Sequence, residues 1–210
     1  MAEEGASAYL PERRSLKALR EAVQSCHGCE LYRDATQAVF GEGPAKARLM
    51  LVGEIPGDRE DREGHPFVGP AGRELDRAFE AAGIDRGDLY VTNVVKHFKF
   101  EERGKRRIHQ TPRKAEIDAC FPWLDTEIKL VRPQALVTLG ATAAKALFGS
   151  QFRVTQHRGE LIESELAPVA AATIHPAAIV RQRDAEARTR EREALADELR
   201  AVYAQFAQSS

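Results

Sequence analysis

Two thiols in Cys26-His-Gly-Cys29, and a third at Cys120, are the side chains of this chain best suited by type to hold a metal. A Cys-x-x-Cys pair in a chain without an export signal points to a metal or redox site rather than a disulfide. Two thiolates need further ligands. Cys120 supplies a third, and His97 or His27 could be the fourth. Three sulfurs and one imidazole suit either tetrahedral zinc or an iron–sulfur cluster, and the spacing does not choose between them. A redox pair with a separate buried cysteine is the plainer alternative.

A second set of residues could handle charge and a flat ring. Glu54 lies in Gly53-Glu-Ile-Pro-Gly-Asp58, directly after the apolar run 47–52. An acid at the carboxyl end of a buried parallel strand sits where open α/β sheets place their ligands. The glycines allow close backbone approach, and Asp58 could cap a following turn. Phe67 lies in Pro66-Phe-Val-Gly-Pro-Ala-Gly72, Asn93 near the end of a second apolar run, and His175 after a fourth. Phe67 could stack on a heterocycle, worth roughly 1–3 kcal/mol. Asn93 offers both a donor and an acceptor, the pattern that reads a pyrimidine edge. His175 could stabilise charge on a leaving group. Taken singly, each has an ordinary explanation: a solvated glutamate, a core phenylalanine, a loop-capping asparagine, a structural histidine.

The elements that must position these residues follow from periodicity. Apolar runs at 47–52, 89–95, 135–140 and 169–174 are short, partly β-branched and bounded by turn residues, as buried strands are. Helical spacing marks 13–24, 71–82, 112–131, 141–147 and 184–206. Pro112 suits a first helical turn. A polar, basic loop is expected over 99–111. Strands alternating with helices predict an α/β fold, a single three-layer α/β/α domain over 1–210 around a central, mostly parallel four-stranded sheet.

Bulk composition fits one globular domain: 210 residues, 43% hydrophobic and 30% charged. No apolar stretch reaches membrane-span length. The first residues lack the basic and apolar regions of a signal peptide, so a cytoplasmic protein is expected. Net charge is −1, which gives no global pull toward nucleic acid. Lys105, Arg106, Arg107, Arg113 and Lys114 nevertheless form a local basic patch that could contact phosphates.

The motifs in combination resemble those of the cluster-bearing uracil-DNA glycosylases of the family-4 type. Those motifs are Gly53-Glu-x-Pro-Gly-Asp58, Pro66-Phe-Val-Gly-x-Ala-Gly72, Val91-Thr-Asn-Val-Val-Lys96 and Ile174-His-Pro176, and the likeness runs over about 26–181. Within that group the chain is most similar to the UdgX proteins. Lys105-Arg-Arg-Ile-His-Gln-Thr-Pro112 looks like their inserted basic loop. His97, in Val95-Lys-His-Phe-Lys-Phe100, stands where ordinary members carry a cluster cysteine. The resemblance implies a 4Fe–4S cluster bound by Cys26, Cys29, His97 and Cys120. It also implies that His109 becomes joined to the DNA sugar after uracil leaves.

The implied chemistry is sensible. A paired base is inaccessible, so the target must be flipped or single-stranded. Loss of uracil as an anion leaves an oxocarbenium-like sugar. An imidazole held beside that carbon would outcompete water by proximity. Glu54 would orient His109 and stabilise the cation, and His175 would bond uracil's developing oxyanion. Gly53, Ile55, Asp58, Phe67 and Asn93 would form the base pocket. Lys105, Arg106 and Arg107 would hold flanking phosphates. The expected partner is uracil-containing DNA, single strands favoured, in a covalent complex with a monomeric enzyme. UdgX proteins carry glutamine after the motif glutamate, whereas this chain has Ile55. That departure removes a polar contact and is expected to weaken crosslinking. The alternatives are ordinary turnover with water, or a non-catalytic uracil-DNA binding protein.

Overall fold

The computed structural model describes residues 5–207. Helix α1 (Leu16–Ala22) starts at Ser15, whose hydroxyl accepts the Ala18 N–H. This is a side-chain cap for one of the helix's unpaired donors. A 3-10 turn, Val23–Ser25, then delivers the chain to Cys26. Strand β1 (Leu49–Gly53) is buried throughout and leads through the glutamate loop into α2 (Asp58–Glu63). Helix α3 (Pro70–Ala82) opens on a proline and closes on Gly83 in the left-handed region.

Strand β2 (Leu89–Asn93) follows, then a hairpin of β3 (Phe100–Arg103) and β4 (Arg106–His109). Next come α4 (Lys114–Val131), β5 (Ala135–Leu139), α5 (Ala141–Phe148) and the short α6 (Val154–His157). The chain ends with β6 (Leu161–Ile162), β7 (Val169–Thr173), α7 (Ala177–Arg181) and α8 (Ala185–Ala207).

The main sheet has the order β2-β1-β5-β7-β6, parallel except for β6. Side-chain alternation divides its core. Met50 and Val52 pack with Tyr90, Trp123, Leu124 and Leu136 on one face. Leu49 and Leu51 pack with Leu75, Phe79, Leu195 and Leu199 on the other. That period of two is what a strand buried on both faces requires. Helices α3 and α8 thus cover one face, and α4 the other. Register places Gly53 beside Asn93, and Leu139 beside Thr173, so four strands end along one edge.

Four sequence expectations change. The sheet has five strands rather than four. The fifth, β6, holds only two residues and pairs antiparallel with β7, too short to show a period. The loop expected over 99–111 is instead a hairpin with Gly104 at its turn in the left-handed region, φ 63°. Its strands carry charge rather than alternation, so the pattern hid them. Helix α4 starts at Lys114, because the Glu116 carboxylate accepts the Arg113 N–H at 2.6 Å and fixes Arg113 as the cap. The first helix is shorter than 13–24. No described helix is long and apolar enough to cross a membrane.

Candidate active site

A cavity of about 850 Å³ opens outside the carboxyl ends of the strands. Its walls include Glu54, Phe67, Asn93, His109 and His175. Residues from β1, β2 and the segment after β7, read separately from sequence, therefore share one space with the tip of the hairpin.

The floor is built by close approach of β1 and β2. The Val94 and Val95 N–H groups donate to the Gly53 and Glu54 carbonyls at 2.9 and 3.0 Å. A side chain at Gly53 would collide with the Asn93 amide oxygen and would lie 2.6 Å from the Phe67 ring. Only hydrogen fits there, which is why glycine ends the strand. Asn93 is 3% exposed, and its amide makes no hydrogen bond to any described residue. Glu54 likewise keeps one buried carboxylate oxygen, Oε1, without a partner. Buried polar atoms are rarely left without a partner, and Glu54 belongs to the lining of the cavity.

Phe67 holds a left-handed backbone, φ 56°, unusual for an aromatic residue. Its carbonyl and that of Pro66 are bonded by the Arg86 guanidinium, with Pro66 O at 3.1 Å. The ring is buried and lies 6.3 Å from the His175 ring, inclined by 29°. Both rings line the cavity, and Phe67 offers an aromatic face there.

His175 is half-buried at the cavity wall. The Ala177 N–H donates to His175 Nδ1 at 3.1 Å. Nδ1 is therefore the acceptor nitrogen, and a neutral ring carries its proton on Nε2. Burial, helped by the nearby His109 and Arg181, pushes its pKa down to about 4. His175 is thus a neutral donor near pH 7.

His109, the last residue of β4, is exposed at the rim. Its ring lies 6.2 Å from that of Phe98. The hairpin that carries it is fastened by Arg107, not left to solvent. Arg107 pairs with Asp58 and, at 2.7 Å, with Asp61, and its guanidinium stacks on Phe98 and Phe100 at 5.3 and 4.9 Å. These partners bear on the phosphate contact expected of Arg107. Two carboxylates of α2 claim the guanidinium, and its side chain is 13% exposed. Asp58 is committed too. Burial works to raise its pKa, but Arg62 and Arg107 outweigh that and hold it low. It stands in the first turn of α2 without capping it. Lys105 and Arg106 are exposed and have no ion-pair partner among the described residues.

Residue Ile55 is buried, 6% exposed, and belongs to the α4-side core while also touching the cavity.

The sulfur residues lie apart from this cavity. Cys26, Cys29 and Cys120 are all buried and form no disulfide. Cys26 Sγ accepts the Trp123 indole N–H, and Cys120 Sγ the Lys96 backbone N–H, each at 3.3 Å. Donors aimed at sulfur suit thiolates held in a metal centre. Burial raises the Cys120 thiol to about 12, with Lys96 working against it. A bound metal would be needed to hold its thiolate. His97 is buried, and burial lowers it to about 4, so it offers the neutral imidazole that ligation requires. His27 is exposed and stacked on Tyr32 at 4.1 Å. Among the described residues no three His, Cys, Asp or Glu side chains gather closely enough for one metal ion. Tetrahedral zinc needs every Zn–S distance near about 2.3 Å. Cys26 and Cys29 lie near enough to Cys120 to push its thiol further up, so the three sulfurs are neighbours.

Residues 40–200 match the model of the Uracil DNA glycosylase superfamily. The chain belongs to that superfamily. Three relatives, each a type-4 uracil-DNA glycosylase, align over 174 residues. The Sulfurisphaera tokodaii protein is 40% identical, over 78% of this chain and 75% of its own. The Pyrobaculum aerophilum protein is 37% identical, over 80% and 85%. The Thermotoga maritima protein is 36% identical, over 82% and 87%. The superfamily assignment bears on the cavity, because the matched span holds every one of its named walls. It leaves Cys26 and Cys29 outside. Sequence reasoning missed several wall or support residues of this superfamily member. Ile108 and Val180 are exposed apolar side chains at the rim, and Glu60 is a buried carboxylate that accepts the Gly69 N–H at 2.8 Å. Their only sequence signal was proximity to motifs.

Proposed function

We propose that this protein is a uracil-DNA glycosylase that ends its reaction joined to the DNA sugar through His109. The observation that carries the reading is one cavity holding a buried, unpaired carboxylate oxygen, the Asn93 amide, a neutral histidine donor and a second histidine at the rim.

The target nucleotide enters unstacked, at a cost on the order of a few kcal/mol. Phe67 stacks on uracil and the Asn93 amide pairs with its edge. The C1′–N1 bond breaks and its electron pair leaves with uracil. His175 Nε2–H donates to the oxygen where that charge collects. A cationic sugar remains, and the Glu54 carboxylate faces it. The free nitrogen lone pair of His109 then forms an N–C1′ bond, and the ring's other N–H passes its proton toward Glu54. Lys105 and Arg106 hold neighbouring phosphates; Arg107 instead holds the hairpin in place.

Cys26, Cys29, His97 and Cys120 would hold a 4Fe–4S cluster. When bound, the cluster supplies a structural tie rather than an electron carrier for base removal. Held by these residues, it would tie the N-terminal segment to α4 and to the chain beyond β2.

A second reading is ordinary turnover with water. Ile55 favours it, since this buried hydrocarbon side chain at the cavity cannot make the polar contacts of the glutamine that UdgX proteins carry there. Denaturing electrophoresis after mixing with uracil-containing single-stranded DNA separates the readings. A shifted, heat-stable band is expected. Alkali-labile DNA without a shift means turnover, and unaltered DNA means binding alone. Iron and zinc analysis of the same preparation tests the cluster; stoichiometric zinc without iron rejects it.

A further inference from the structure

Lys96 has no exposed surface, yet it lies between the cavity and the cysteines. Its amine donates to Thr92 Oγ1 and to the Asn93 carbonyl, each at 2.7 Å, and pairs with Glu127. Three acceptors meet three N–H groups, so no donor is spare. Glu127 is equally buried. It also accepts the Tyr90 hydroxyl at 2.8 Å and the Gly41 N–H at 3.1 Å. The Lys96 backbone is occupied as well: its N–H donates to Cys120 Sγ and its carbonyl accepts the Val39 N–H at 2.8 Å. Cys120 and Glu127 both lie on α4, about two helical turns apart, so one face of that helix meets Lys96 twice.

A buried ion pair is seldom better for stability than apolar residues of equal volume. What it does well is hold one geometry. The geometry held here is that of the Asn93 peptide, the one backbone unit shared by the network and the cavity wall. The Asn93 side chain has no protein partner to orient it, so its direction depends on its backbone.

We propose that Lys96 is a positioning residue: with Glu127 it braces the Asn93 peptide against α4 and so fixes the amide that meets the base. This rests on the reading of the cavity as a uracil site. The neighbouring Cys120 contact is made by the Lys96 backbone and survives a side-chain change.

The test compares the metal-loaded wild type with E127Q, K96M/E127Q and T92V. The side-chain amide introduced by E127Q still accepts from Tyr90 and Gly41, and in the double variant no buried charge is left alone. Uracil release in single turnover, inhibition by free uracil, affinity for uracil-free DNA, iron content and melting temperature are measured. K96M/E127Q should keep its iron and its affinity for uracil-free DNA. Its uracil release should fall about 100-fold, as for a misplacement of roughly 1 Å, and inhibition by free uracil should weaken in step. E127Q, which keeps Lys96 on the Asn93 carbonyl, should restore most of both. A folded K96M/E127Q with wild-type release and wild-type inhibition overturns the proposal. If that variant does not fold, T92V decides. It removes one of the three acceptors and should weaken inhibition by free uracil several-fold; unchanged inhibition overturns the brace. A wild type that releases no uracil refutes the uracil-site reading itself, a result distinct from any pattern among the variants.

Discussion

The sheet edge and the hairpin carry the two halves of the proposed reaction, and they are built by opposite rules. Glu54, Asn93 and His175 stand at the ends of buried strands; ladder hydrogen bonds and the Val95 amide fix the backbone, and the Ala177 amide fixes the His175 ring. His109 stands on a two-stranded ribbon that pairs only with itself. Two isolated strands are marginal alone, so the ribbon must be tied down elsewhere. Arg107 does this through Asp58 and Asp61. On the proposed reading, base recognition would be placed by the core, and sugar capture by one guanidinium. The two functions should be separable by mutation.

The largest effect should come from His109→Ser. The heat-stable adduct should vanish while free uracil accumulates over many turnovers, because water then reaches the sugar. A full-strength adduct on the denaturing gel would identify another nucleophile. Next, His175→Ala should slow uracil release by about 10²–10³-fold, the usual effect of losing one donor to developing negative charge. Little change in single-turnover release would show that the leaving group is stabilised elsewhere.

Arg107→Met should sharpen the contrast further. It leaves Asp61, which has no exposed surface, without its cation. Breaking such a pair costs roughly 3–5 kcal/mol when fully buried, and somewhat less here because Asp58 reaches solvent. Adduct yield should drop well before uracil release does. Equal losses in both assays would mean that the hairpin also shapes the base pocket. Smaller still, Lys105→Ala with Arg106→Ala should leave the single-turnover rate alone and lower the slope of log affinity against log salt by about 2.

The pH dependence follows from His175. Its folded pKa, about 4, lies below the ordinary histidine value. The unfolded chain therefore binds more protons between about 4 and 6.5. Stability contributed by the neutral ring is present above that window and is lost as pH falls through it. Uracil release should be flat near neutrality and should decline, together with melting temperature, toward about pH 4. A decline already complete at about pH 6 would contradict a depressed pKa.

Much of the sheet edge was legible in the sequence because its constraints are local. Val52 and Gly53 mark the end of a buried run, and Pro56, Gly57 and Pro66 forbid its continuation. The register that sets Gly53 beside Asn93 is a consequence of two such runs pairing in parallel. The helix α2 and the strand β6 were not legible, being six and two residues long. The ion pairs of Arg107 were hidden for a different reason. In Lys105-Arg-Arg107 three neighbouring cations look alike, but alternation along β4 turns successive side chains to opposite sides. Only the fold shows which side faces Asp61. The pair formed by Lys96 and Glu127 was equally hidden, since 31 positions separate them in the chain.

The two-residue length of β6 has a consequence for how this protein keeps company with itself. An open sheet edge is a template on which another strand can grow. At one margin that template is only Leu161–Ile162, closed off by Glu160 and Glu163. At the other, Glu42 takes both the N–H and the carbonyl of Val91 on β2. The described sheet therefore offers no long row of open backbone groups to a second copy. Crowding many such molecules together should not seed fibres from the folded state.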